Sequence, residues 1–228
     1  MGANRRPSNS ILQRLPTSEF NSISSELKQV ELSKGSLVFQ PDQLASHVYF
    51  PIDSVISFIG DTGEGGSIEV WAVGSEGVAG VSGILGRTKP FRGVVQVPGG
   101  ALMAKASFLR RHFQKCAPFQ GELLRYYHYL LVQISYLGIC NNSHPIEQRF
   151  SRWLLMMQDR AGGNELKFTQ DAIAGVLGTR RATISVAAAA LQASGFISYT
   201  PGTITIRSRK ALEQAACGCY KIITGRRP

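Results

Sequence analysis

Apolar positions along the chain change period twice, and each change predicts a different kind of structure. Between about Ser36 and Lys105, short runs rich in Val, Ile and Phe recur, punctuated by Gly, Pro and Asp. That texture predicts strands near Leu37–Gln40, His47–Phe50, Ser54–Gly60, Ser67–Val73, Arg92–Val97 and Ala101–Lys105. The stretch Asp61-Thr62-Gly63-Glu64-Gly65-Gly66 reads as a turn. Several short strands at this spacing suggest an antiparallel sandwich or barrel. From Pro118 the period becomes helical. Leu123, Tyr127, Leu130, Ile134 and Leu137 form an a/d seam, widened by Leu124, Leu131 and Gly138. A helix from Phe119 to Asn142 is expected, and its long, regular seam between two unlike regions reads as a dimerisation surface. Asn141-Asn142-Ser143-His144-Pro145 should break it, with Ser143 as the next N-cap and Pro145 in the first turn. A second amphipathic helix follows through Ile146, Phe150, Trp153, Leu154 and Met157 and stops at Ala161-Gly162-Gly163-Asn164. Residues 1–15 are polar and basic with little pattern, and read as a mobile arm or a frayed short helix.

The segment from Thr169 to Leu191 carries the most information. Thr169 is placed to cap a helix whose buried face is Ile173, Val176 and Leu177, and Gly178 supplies a left-handed stop. A second helix starts at once, with Ile184, Ala187 and Leu191 inward. Ala174 is small where two steeply crossing helices must approach. This spacing is the helix-turn-helix pattern. Ser194–Tyr199, Thr200-Pro201-Gly202 and Thr203–Ile206 then read as strand, turn and strand, which makes the unit a winged helix. The readout end is the start of the second helix, expected from Arg180, with Thr179, Arg180, Arg181, Thr183 and Ser185 as candidate DNA contacts beside Thr169 and Gln170. Adjacent arginines point about 100° apart on a helix, so one can read guanine while the other takes a phosphate. The residue order alone leaves open which does which.

Charge sharpens this picture. The chain has 228 residues and a formal net charge of +10. Residues 143–228 hold 12 Lys/Arg against 5 Asp/Glu, whereas residues 1–142 hold 13 against 10. The polyanion-binding end is therefore the C-terminal one. Arg207, Arg209, Lys210, Lys221, Arg226 and Arg227 read as phosphate contacts or solvated charge.

Other classes find little support. No apolar run is long enough to span a membrane, and the N-terminus lacks a secretory pattern. Arg6 stands where a myristoylation motif needs Ser or Thr, so the expectation is a cytoplasmic protein. No nucleotide, hydrolase or metalloprotease fingerprint occurs, and Glu64, Glu69 and Glu76 are scattered over strands and turns rather than set as a catalytic pair, so no enzyme activity is expected. Cys116, Cys140, Cys217 and Cys219 contain no C-x-x-C pair. They read as reduced thiols with no metal site, a redox role for Cys217 and Cys219 being the alternative. No two of His47, His112, His128 and His144 are in metal-binding spacing.

At this point the chain resembles the Crp/Fnr family of bacterial transcription regulators over nearly its whole length. Phe168–Ala174 and Leu177–Ser185 look like the family's helix-turn-helix, and Arg181 matches its base-reading arginine. Ala182 stands where many members have a cytosine-reading glutamate, and Val186 where some have an arginine. The resemblance implies an α+β protein. Residues 1–118 would form a jelly-roll-like antiparallel effector β-roll of the cyclic-nucleotide-binding type. Residues 119–142 would be the dimerisation helix and 143–228 the winged helix-turn-helix domain. It implies double-stranded DNA, a second copy of the chain and RNA polymerase as partners. The family's ribose glutamate is replaced by Val81, and Arg92, the nearest candidate for its phosphate arginine, is followed by Gly93. A ribose hydroxyl would lose its acceptor there, at a cost of about 1–3 kcal/mol. No effector is assigned. No cysteine precedes Cys116, which disfavours the iron–sulfur centre of the oxygen-sensing branch, and His47 and His128 read as structural rather than haem ligands. No cofactor is expected. The alternative function is a cyclic-nucleotide or other small-molecule sensor acting through a protein partner.

Overall fold

Short β-branched and aromatic runs separated by glycine turns build the first part of the chain, seen here in a computed structural model that describes residues 7–63 and 66–227. In chain order the elements are α1 (Ser10–Arg14), α2 (Thr17–Ser24), β1 (Lys28–Leu32), β2 (Leu37–Phe39), β3 (His47–Pro51), β4 (Val55–Asp61), β5 (Ser67–Val73), α3 (Val81–Leu85), β6 (Arg92–Val97), β7 (Gly99–Lys105), α4 (Ala106–Lys115) and α5 (Ala117–Ser143). There follow α6 (Ile146–Ala161), β8 (Glu165–Leu166), α7 (Gln170–Leu177), α8 (Arg181–Ala193), β9 (Ile197–Thr200), β10 (Thr203–Ile206), α9 (Arg209–Ala215) and α10 (Cys219–Thr224). Two compact units result. One is built on residues 7–58 and 72–130, the other on residues 131–226 together with the described residues of 59–71.

The roll consists of a three-stranded sheet in the order β1-β7-β3 and a four-stranded sheet in the order β2-β6-β4-β5. All six expected strands are present. β1 is additional, antiparallel to β7 with Lys28 opposite Met103 and Leu32 opposite Gly99. Of the expected turn at residues 61–66, Glu64 and Gly65 lie outside the described residues. Gly63 takes the left-handed φ of 80° that such a turn requires. Phe39 stacks on Phe58 at 5.6 Å and meets Tyr49 edge-on at 5.7 Å. The Lys89 ammonium lies 3.6 Å from the Phe58 ring centre, and burial pushes its pKa down to about 7.

The N-terminal segment is neither an arm nor frayed over the described residues. Ile11, Leu12 and Leu15 are fully buried. Asn9, itself wholly buried, caps α1 through Oδ1 and donates from Nδ2 to the Pro51 and Gly77 carbonyls at 3.0 and 2.8 Å. One amide thus satisfies four backbone groups and stitches α1 to the roll. Residues 1–6 lie outside the described part.

The long helix α5 has 27 residues, roughly 40 Å at 1.5 Å per residue. It runs through Ser143, so Ser143 ends one helix rather than capping the next. Pro145 occupies the N-cap position of α6, where its missing N–H costs nothing. α6 ends where expected, on Gly162 with φ 73°.

Candidate nucleic-acid interface

α7 starts because Thr169 Oγ1 accepts from the Ala172 N–H at 3.2 Å, and it stops because Gly178 adopts φ 60°. Arg149 of α6 donates from Nη2 to the Leu177 carbonyl, which ties the free end of α7 to the helix below it. Ile173, Ala174 and Leu177 of α7 and Ile184, Ala187, Ala188 and Leu191 of α8 are buried. The small side chain of Ala174 permits the close crossing. Beneath them Trp153 meets Phe168 edge-on at 4.9 Å and stacks near Phe150 at 6.4 Å. The wing is β9 and β10, turned by Gly202 with φ 81°. The short strand β8, absent from the sequence reading, adds a third strand on β10.

This scaffold presents α8 to solvent along one stripe. Arg180, expected as the first helical residue, is instead the extended N-cap, and Arg181 opens the helix one position later. Arg180, Arg181, Ala182, Ser185, Val186 and Ala189 are exposed, Val186 by 68%, while Thr179 and Thr183 are half-buried. A shallow cleft lined by Gln170, Ser185, Ala188, Ala189, Gln192 and Tyr199 continues the stripe toward the wing. Gln192 holds the start of that path by accepting from the Tyr199 N–H at 2.6 Å. Arg181 Nε lies 3.5 Å from Asp171 Oδ2, with both side chains about two-thirds exposed. A pair so exposed contributes about 0–1 kcal/mol and is readily exchanged for another partner.

The basic residues past the wing divide into two groups. Arg207, Lys210, Lys221 and Arg226 are exposed. Arg209 is instead committed to structure. It donates to Asp159 Oδ1 at 2.8 Å, Glu213 Oε1 at 2.9 Å, Gln158 Oε1 at 2.8 Å and the Tyr220 hydroxyl. It anchors α9 and α10, two helices the sequence reading did not predict.

On α5 the expected seam is only partly available. Leu123 is 1% exposed because the face carrying Phe119, Glu122, Leu123 and Tyr126 packs into the roll unit. Tyr127, Leu130, Ile134 and Leu137 are half-buried, and burial raises the Tyr127 phenol to about 12. Leu124 and Leu131, the residues of the widened stripe, are 58% and 64% exposed.

In the roll, Val81 opens α3 and is buried behind Gly80, whose φ of 90° and tight fit against the His47 carbonyl demand glycine. The position of the family's ribose glutamate is thus an apolar, packed one. Arg92 is half-buried at the start of β6.

The cysteines are not scattered. Cys140, His144, Cys217 and Cys219 converge, with Cys140 Sγ 3.4 Å from Cys217 Sγ and Cys219 Sγ 3.8 Å from His144 Nδ1. The Cys217 thiol donating to Cys140 holds the latter well below the ordinary thiol range, helped by the nearby Arg152 and His144. The cysteine spacing does not reveal this cluster, because Cys140 and His144 lie more than seventy residues from Cys217 and Cys219.

Together these features define a winged helix-turn-helix protein with an N-terminal β-roll. Residues 148–215 match the Crp-like helix-turn-helix domain family. No curated protein sequence matches the chain. Among solved structures, FixK2 from Bradyrhizobium japonicum is similar with a TM-score of 0.72 at 16% identity, over 84% of this chain and 98% of that one. The c-di-GMP-responsive global regulator CLP from Xanthomonas campestris gives 0.68 at 14%, over 85% and 100%. A CRP-family transcriptional regulator from Thermus thermophilus gives 0.69 at 14%, over 83% and 96%. At these identities the structures speak for the fold. Residues 148–215 thus carry a Crp-like helix-turn-helix domain, and the chain as a whole has the fold of the solved Crp/Fnr regulators.

Proposed function

We propose that the chain is a homodimeric, sequence-specific regulator whose two α8 helices enter successive major grooves of a near-palindromic site. The observation that carries this reading is the unobstructed stripe from Arg181 to Ala189 on a helix fixed by the Thr169 cap, the Gly178 turn and the wing. Arg181 is the base reader, donating two bonds to guanine, and Arg180, at the extended N-cap, takes a phosphate. Thr169, Gln170, Thr179 and Thr183 complete the polar rim. Ser185 accepts or donates to a base edge, and Ala182, Val186 and Ala189 offer methyl surface to thymine. The half-site therefore contains a guanine near thymines rather than the guanine–cytosine pairing that a glutamate at position 182 would select.

Tyr127, Leu130, Ile134 and Leu137, with Leu124 and Leu131, form the α5 seam against the second copy. A signal in the roll acts by changing how this seam sets the two α8 helices apart. RNA polymerase is the partner that reads the bound state. The buried Val81 argues that the signal is not a ribose held by the family's glutamate. Inserting five base pairs between the half-sites of the bound site rotates one major groove to the opposite side of the duplex. Affinity then falls at least about tenfold in a gel-shift titration. Unchanged affinity would mean that the halves are read independently.

A further inference from the structure

We infer that Cys140, His144, Cys217 and Cys219 are the ligands of one structural zinc ion. The four ligand atoms all lie within 4.8 Å of one another, with Cys140 Sγ 3.4 Å from Cys217 Sγ and Cys219 Sγ 3.8 Å from His144 Nδ1. A tetrahedron with zinc–sulfur bonds of about 2.3 Å and a zinc–nitrogen bond of about 2.0 Å has edges of about 3.5–3.8 Å, so little movement closes it. Ligands this tightly converged suit a single ion. An iron–sulfur cluster spreads its cysteines over several irons. Three thiolates and an imidazole in tetrahedral array are a donor set that selects zinc over the harder divalent cations. The three cysteines are each 4% exposed or less, which matches a closed, structural site rather than an open catalytic one.

A second, independent observation is the charge beside the cluster. Arg152 of α6 is only 2% exposed, and no carboxylate pairs with it among the described residues. Its Nε has no hydrogen-bond partner, its Nη1 meets Met156 Sδ at 3.2 Å, and its charge acts on the neighbouring Cys140 thiol. A buried cation needs a counter-charge, and the neighbouring thiols are the groups placed to supply it. Zinc with three thiolates and a neutral imidazole carries a net charge of −1, which is that counter-charge. Binding releases the thiol protons to solvent, so loading is favoured as pH rises.

The chain topology gives the ion a purpose. Cys140 and His144 stand one turn apart at the end of α5, and the His144 N–H still bonds to the Cys140 carbonyl at 3.1 Å. Cys217 and Cys219 flank Gly218 between α9 and α10. α10 has six residues, too few to be stable alone. The ion staples it to the joint between the long helix and the winged helix.

The test uses the full chain purified under reducing conditions without chelator. Elemental analysis should find about one zinc per chain, retained in Cys116→Ser and lost in the double variant Cys217→Ser, Cys219→Ser. Exchange for Co²⁺ should give the visible bands of tetrahedral cobalt with thiolate charge transfer. His144→Cys should keep the metal and shift those bands, which guards against loss of zinc through misfolding alone. Zinc far below one per chain with four freely titrating thiols overturns the proposal. So does a Cys140–Cys217 disulfide in the protein as isolated, or a cobalt spectrum unchanged in the double variant.

Discussion

Replacing Leu124 and Leu131 together by arginine leaves the chain monomeric and lowers its affinity for a two-half-site operator by about 10²–10⁴-fold. These are the most exposed apolar residues of α5, at 58% and 64%, and they lie seven apart on one stripe. Burying a leucine contributes roughly 1.5–3 kcal/mol, and a two-fold interface counts each one twice. Charging both positions therefore removes the association rather than weakening it. Once the dimer is lost, each winged helix binds its half-site alone, and the avidity gain of linked sites disappears. Sedimentation and a binding titration on the same protein measure both effects. Neither substitution touches the fold of the monomer, so the melting temperature at low concentration should stay within a few degrees of the parent monomer. A dimer that persists in the variant would place the interface elsewhere.

Arg181→Ala should lower affinity for the selected site by about 10–100-fold, from the roughly 1–3 kcal/mol of a bidentate contact to guanine. Preference at one base pair per half-site should vanish with it. In the free protein Arg181 meets the exposed carboxylate of Asp171, a pair worth about 0–1 kcal/mol, so the substitution leaves stability essentially unchanged. Arg180→Ala should behave differently. It weakens binding to all sequences alike and makes the salt dependence shallower, as loss of a phosphate contact does. If the two variants exchange behaviours, Arg180 is the base reader, and the N-cap rather than the first helical turn faces the base edges.

How much of this was legible in the residue order depends on how local the determinants are. The six expected strands of the roll were readable because Val, Ile and Phe runs alternate with glycine turns. β1, Lys-Gln-Val-Glu-Leu, was not, because its charges mask a strand that exists only by pairing with β7. Most of the helix-turn-helix was readable, because the Thr169 cap, the small Ala174, the left-handed Gly178 and the buried Ile184 all act within a few residues, although Val176 is half-buried rather than inward and the second helix starts one residue later than expected. α1 was misread because its three apolar residues gain their meaning only from Asn9 reaching the Pro51 and Gly77 carbonyls. The same holds for α9 and α10, which rest on Arg209 bridging Asp159, Glu213 and Tyr220. Leu123 fits the heptad seam in sequence but faces the roll in the fold, since periodicity assigns a stripe without saying which neighbour covers it. The four-ligand cluster was beyond local reading altogether, because only tertiary folding brings Cys140 and His144 to Cys217 and Cys219.

The central claim is that two copies of α8 read a defined duplex. The measurement that tests it most directly is selection of bound DNA from a random-sequence pool by the purified full chain at two salt concentrations. The account predicts an enriched near-palindrome, with half-sites about one helical turn apart, that survives the higher salt. Recovery of only unpatterned sequences whose binding vanishes at the higher salt would contradict it.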